Sequence, residues 1–126
     1  MSTLQPLTES SFTTSGGHIS RFGLEISRSD RHAVWIHLRG ELDLGCSAQL
    51  KQTLREAVAT ERLIVVDLSE LAFMDSTGLH AIIDADNRAR LRGSKLVLIR
   101  GPAQIDRLFK LVGISNRLEI VELTGS

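Results

Sequence analysis

Two short apolar runs, Leu63-Ile64-Val65-Val66 and Leu96 to Ile99, stand on either side of a segment whose apolar residues recur at helical spacing. That order constrains the fold more than any other feature of the chain. A run of four apolar residues, β-branched in its middle, suits a strand with sheet neighbours on both edges and helices over it. Leu79, Ile82 and Ile83 mark the intervening helix, which runs through Arg90 and stops near Gly93, a residue suited to the position after a helix end. A strand, a helix and a second strand imply a right-handed parallel crossover.

The same alternation extends in both directions. Upstream, Val34, Ile36 and Leu38 alternate with Trp35, His37 and Arg39, the period of a strand, and Gly40 is expected to end it. Trp35 is expected to pack under a helix. Leu50, Leu54, Ala57 and Val58 then recur at helical spacing behind Ser47, a suitable N-cap. Arg21 to Ser27 alternates more loosely and suits an edge strand, with a turn at Ser29-Asp30. Downstream, Gly101-Pro102 opens a third helix, with Ile105, Leu108, Phe109 and Val112 at i, i+3, i+4 and i+7. Leu118 to Leu123 finishes the chain as a strand. The fold class is α/β: a single domain with a small, mixed, mostly parallel β-sheet and helices packed against it.

Composition bounds the rest. At 126 residues the chain is sized for one domain. The Ser- and Thr-rich stretch over residues 1–20 is expected to be a flexible tail, with the folded domain over 21–126. Fifteen basic and fifteen acidic residues give a formal net charge of zero, which lacks the positive field that nucleic acid or an anionic membrane demands. No apolar run approaches the roughly 20 residues of a membrane-spanning helix, and the N-terminus does not read as a signal peptide. The single cysteine, Cys46, allows no internal disulfide, suits a cytoplasmic setting and is expected to act as a small buried hydrophobe. The four histidines show no metal-ligand spacing, and glycine-rich phosphate loops are missing, so neither metal nor cofactor is expected.

The chemistry concentrates where the second helix begins, at Asp75-Ser76-Thr77-Gly78-Leu79. Asp75 and Ser76 are both strong N-cap types, and the plainest reading is a helix cap contributing about 1 kcal/mol. The same position has a second use. A serine hydroxyl at a helix N-terminus is exposed, and backbone N–H groups there favour an anion. A phosphate on Ser76 would add up to about two negative charges beside Asp75. The fold could carry it, whereas a partner packed over that helix end would meet repulsion and a desolvation cost. A third use makes Ser76 a nucleophile with His80 as its base and Asp84 behind. The nucleophile-elbow pattern is absent, because Met74 stands two before Ser76 where that pattern needs glycine. The charged run Asp84, Asp86, Arg88, Arg90, Arg92 reads as a solvated helix face.

Phe73-Met74-Asp75-Ser76-Thr77-Gly78-Leu79 resembles the phosphorylation loop of STAS domains, in the branch of bacterial anti-sigma-factor antagonists. Gly40-Glu41-Leu42-Asp43 matches that family's other short signature. Gly101-Pro102, Arg107-Leu108-Phe109 and Leu111-Val112-Gly113-Ile114 are similar to its last helix and turn, so the resemblance runs from about Phe22 to the C-terminus. It implies a regulator of transcription rather than an enzyme. Ser76 takes the place of the serine phosphorylated by the partner, an anti-sigma factor that is itself a serine kinase. The unphosphorylated form would bind that partner and free the sigma factor, and a metal-dependent serine phosphatase would reset it. Asp75 matches the acidic residue of the loop, Asp43 the aspartate near the phosphorylation site, and Thr77 a secondary phosphoacceptor. Gly78, Leu79 and His80 complete the implied partner-binding set. His80 stands where relatives often carry glycine, and Leu44-Gly45-Cys46-Ser47 replaces a Thr- and Ala-rich approach to the first helix. STAS domains also serve as fixed structural subunits of sensor scaffolds or membrane transporters, the alternative use of this fold.

Overall fold

The computed structural model describes residues 5–15, 18–113 and 117–122, with side chains described from Phe22 onward. The elements are β1 (Gln5–Ser15), β2 (His18–Ser29), β3 (Ala33–Leu42), α1 (Ser47–Thr60), β4 (Leu63–Met74), α2 (Ser76–Arg92), β5 (Lys95–Ile99), α3 (Ala103–Leu111) and β6 (Glu119–Val121). They form one six-stranded sheet in the order β1-β2-β3-β4-β5-β6. β1, β2 and β3 pair antiparallel, and β3 through β6 pair parallel. The expected mixed, mostly parallel α/β sheet is therefore present.

Sequential parallel strands joined by right-handed crossovers place their helices on one face of the sheet. The burial pattern agrees. Val34, Ile36 and Leu38 of β3, Ile64 and Val66 of β4, and Leu96 and Leu98 of β5 share one buried cluster with Leu50 and Leu54 of α1, Ile82 of α2, and Ile105 and Phe109 of α3. Alternate residues face the other way. Ser27, Trp35, Val65 and Val97 lie in register across β2 to β5, and all four are half-buried or exposed.

Several local readings change in three dimensions. Gln5 to Ser15, expected in a flexible tail, is hydrogen-bonded to β2 along its length; residues 1–4 and Gly16-Gly17 of that stretch lie outside the described residues. β2 is accordingly an interior strand instead of the expected edge. Trp35 does not pack under a helix: it is 37% exposed on the uncovered face. Cys46, not Ser47, holds the N-cap position of α1 and makes no capping bond through its side chain. The backbone carbonyl of Asp43 accepts from the N–H groups of Cys46 and Ser47 instead. Val112 is exposed just past the end of α3. Asp86 leaves the solvated face, being buried and paired with Arg90 at 2.9 Å. Ile114 and Leu123, read as parts of a turn and a strand, lie outside the described residues.

The largest departure is the length of β4. Its register with β3 slips twice, once between His37 and Arg39 and once between Gly40 and Glu41, and each time β4 carries one residue more than its partner. These are β-bulges, rare in parallel pairs. Gly40 sits at the second slip with φ +83°, a backbone that glycine adopts without a Cβ penalty. β3 therefore passes through Gly40 and continues to Leu42. Beyond Val66 the buried apolar residues of β4 fall at Leu68, Leu71 and Met74. A spacing of three is the arithmetic result of one extra residue per alternation.

Candidate functional site

β3 and β4 end side by side. Leu42 is paired with Met74, and the N–H of Asp75 donates to the Leu42 carbonyl at 3.2 Å. That last rung brings Asp43 beside Asp75, although 32 residues separate them in sequence, and the start of α2 follows at once.

Asp75 is the N-cap of α2. Its side-chain Oδ1 accepts from the backbone N–H of Thr77 at 3.0 Å and of Gly78 at 3.3 Å, and from the Thr77 hydroxyl at 2.5 Å. Its carbonyl accepts from the N–H of Leu79. The carboxylate thus satisfies two of the N–H groups that a helix start leaves without partners, and the carbonyl accepts the first bond of the helix itself. They also alter the sequence-based picture, in which helix-end N–H groups would receive an anion: the Asp75 carboxylate already holds two of them. The cap is Asp75 alone, so Ser76 is not required for capping. Ser76 is exposed at the first helical position, whereas Thr77 is half-buried with its hydroxyl engaged.

The surroundings of Ser76 divide into support and surface. Gly78 and Leu79 are buried and shape the site from beneath, so they do not form part of an exposed docking face. A Cβ placed on Gly78 would come within 2.6 Å of Leu42 Cδ2 and 2.9 Å of Met74 Cγ. Glycine is thus what lets α2 seat against the ends of both strands. His80 is exposed one turn beyond Ser76. Asp84, the third member of a hydrolase arrangement, is instead bound to Arg88 at 2.8 Å.

On the β3 side, Asp43 Oδ1 accepts from the Gly45 N–H at 2.9 Å and from Cys46 Sγ at 3.2 Å. Cys46 is buried. The departure at Leu44-Gly45-Cys46-Ser47 therefore builds a turn that fixes Asp43. Two apolar side chains that the sequence presents within these motifs, but not as candidate contacts, are exposed here: Leu44 is 72% and Phe73 49% exposed. For Phe73 a signal existed, since it precedes the buried Met74 and a strand turns neighbours to opposite faces. For Leu44 there was none, because a loop carries no period.

A second cluster lies on the open face of the sheet. His37 Nδ1 is 3.0 Å from Asp67 Oδ2, and Nε2 is 2.6 Å from Glu70 Oε1. Trp35 Nε1 donates to the same Asp67 oxygen at 3.4 Å, and the Ser69 N–H donates to the other at 2.9 Å. Burial alone would lower the His37 pKa, but the hydrogen bonds to Glu70 and Asp67 and their charges outweigh it, leaving it raised. Burial would likewise raise Asp67, but the bonds from Ser69 and His37 reverse the effect and hold its pKa low. A groove of about 530 Å³ opens beside the cluster, lined by Trp35, Val65, Leu63 and His37 among others.

Residues 27–122 match the family model described as "Mlab, STAS domain". The chain is 33% identical over 103 residues to the anti-sigma-B factor antagonist of Listeria monocytogenes, covering 81% of this chain and 90% of that one. Among solved structures it is similar to the anti-sigma factor antagonist SpoIIAA in its unphosphorylated form, with a TM-score of 0.71, 20% identity, and coverage of 80% and 88%. The phosphorylated form of the Bacillus SpoIIAA gives 0.68 at 20% identity, covering 80% and 91%. At that identity the two structures speak for the fold. No described helix is long and apolar enough to cross a membrane.

Proposed function

Because the chain belongs to the STAS domain family, among the anti-sigma-factor antagonists, we propose that it binds an anti-sigma factor with the surface around the start of α2 and is released when Ser76 is phosphorylated. The observation that carries this reading is the division of labour between Asp75 and Ser76. The carboxylate of Asp75 does the capping, and the exposed Ser76 hydroxyl is left for other chemistry. A residue kept only as a cap would have its side chain in the role that Asp75 fills.

The partner is an anti-sigma factor with serine-kinase activity, and a metal-dependent serine phosphatase removes the phosphate. The chain is then the substrate of catalysis and not its agent. Leu44 and Phe73 supply apolar anchors next to the acceptor, and His80 and Asp43 supply its polar border. With two helix-end N–H groups already held by Asp75, a phosphate on Ser76 projects outward beside a carboxylate. It weakens a partner seated over Leu44 and Phe73 by like-charge repulsion and by the cost of removing water from a doubly charged group. Cytoplasmic location and a role in transcription follow from this reading.

The test is incubation with kinase-type anti-sigma factors of the host and ATP, with the phosphosite mapped by mass spectrometry and affinity measured for variants. Phosphate is expected on Ser76, with Thr77 modified far more slowly because its hydroxyl is engaged. Ser76→Ala should retain binding, and Ser76→Asp should lose at least about tenfold, roughly 1.4 kcal/mol. Full-strength binding by Ser76→Asp, together with no modification of Ser76, would favour a fixed structural subunit instead.

A further inference from the structure

An imidazole ring with a carboxylate on each nitrogen poses a question that the Ser76 site does not answer. A neutral ring has one N–H and one lone pair, so it can donate to only one of Asp67 and Glu70. The other contact would set a lone pair against a carboxylate oxygen. Only the imidazolium donates to both at 3.0 and 2.6 Å. Asp67 is in turn fixed as an acceptor, since Trp35, Ser69 and His37 all point donors at its two oxygens.

The placement of the two carboxylates gives the ring its leverage. Asp67 is paired with His37 in the sheet, and Glu70 is paired with Arg39, so the first extra residue of β4 lies between them. His37 therefore spans the bulge from end to end. The Ser69 N–H to Asp67 bond closes a local turn inside it. Beyond the bulge come Leu71, Phe73, Met74 and then Asp75-Ser76.

We propose that His37 is a proton-operated clamp on β4: as the imidazolium it ties Asp67 to Glu70 across the bulge, and loss of its proton releases Glu70 and loosens the strand from Leu68 to Met74 that delivers Ser76. Among the described residues the groups facing the ring are few. From β2, Glu25 lies opposite His37 and is held by Arg39 of β3 at 2.5 Å, so its charge is balanced. From β4 come Asp67 and Glu70. From β5 the residue in register with Asp67 is Ile99, which carries no charge. The balance of unpaired charge around the ring is negative, which favours the protonated state.

The sign of the effect follows from linkage. A group whose pKa is raised on folding stabilises the fold fully below its unfolded value and loses that contribution as pH rises through the folded value. Asp67, whose pKa is lowered, gives its contribution above the carboxylate range. The clamp is closed between those limits and opens on the alkaline side.

Trp35 is the sole tryptophan of the chain and shares the Asp67 oxygen with His37, so its emission reports on the ring. The experiment titrates the full chain by Trp35 fluorescence and by 15N NMR of the His37 ring, and measures amide protection over residues 68–74 at each pH. The expected result is one shared midpoint above the ordinary imidazole value of about 6.5, both ring nitrogens protonated below that midpoint, and protection over 68–74 falling several-fold above it. Glu70→Gln, an exposed and conservative change, should move the midpoint down. His37→Gln should abolish the fluorescence step and the pH dependence of protection. A midpoint at or below the ordinary value, a midpoint unmoved in Glu70→Gln, or protection over 68–74 that ignores pH would each overturn the proposal. None of these readouts involves a partner or Ser76 phosphorylation, so their failure is separate from failure of the proposed function.

Discussion

The two halves of β4 make different use of one strand. From Leu63 to Asp67 the residues alternate between the helix-covered face and the open face, in unbroken register with both neighbours. From Leu68 to Met74 the strand keeps β3 as its neighbour but gains two extra residues, and exposed pairs, Ser69-Glu70 and Ala72-Phe73, separate single buried residues. The first half is packing. The second is an arm that re-aims the chain so that Asp75 caps α2 and Ser76 faces outward. Regular strand geometry fixes a core, and departures from it place the helix cap and the exposed serine beside it.

Substitutions along the strand can break this contrast. The largest effect is expected at the regular half. Ile64→Ala removes a fully buried side chain between two sheet neighbours and should cost about 2–5 kcal/mol in denaturant unfolding. If it proved milder than Leu71→Ala in the bulged half, the division of roles would be reversed. Next comes Gly78→Ala, where the new methyl meets Leu42 and Met74 at under 3 Å. It should destabilise by about 1–3 kcal/mol, since both neighbours are buried in the core and must shift to admit it. Its partner affinity should fall with stability, because α2 is displaced from the strand ends.

Two smaller effects sharpen the assignment of cap and acceptor. Asp75→Ala removes the bonds to Thr77 and Gly78 and should cost about 1 kcal/mol. It should also make Thr77 a better phosphoacceptor in mass-spectrometric mapping, because its hydroxyl loses its partner. Ser76→Ala should lie within about 0.5 kcal/mol of the parent in thermal unfolding, as expected for an exposed residue without a structural duty. A loss as large as that of Asp75→Ala would return Ser76 to the role of cap.

How much of this could be read from the chain depended on whether the pattern was local. The alternation of Val34, Ile36 and Leu38, the four-residue run at Leu63 to Val66, and the Gly93 stop of α2 all correspond to what the structure contains, including φ +78° at Gly93. The far half of β4 was hidden. Its apolar residues at 68, 71 and 74 carry a period of three, which neither strand nor helix rules recognise as a strand. Trp35 was misplaced for a related reason: alternation says that two faces differ, not that both are covered. The stretch from Gln5 to Ser15 has no core-seeking pattern, and its strand depends on hydrogen bonds to β2.

The sequence by itself determined the α/β order, the start and stop of α2, and the motif that singles out Ser76, because capping and periodicity act over one or two turns of chain. Tertiary structure decided which of two adjacent cap-type residues does the capping. It also decided that the end of β3 leading into Asp43 and Leu44 lies beside the end of β4 carrying Phe73 and Asp75, and that His37 meets Asp67 and Glu70. Those contacts join β3 to β4 across a bulged register. Register is a property of two strands together, and no single stretch of residues encodes it.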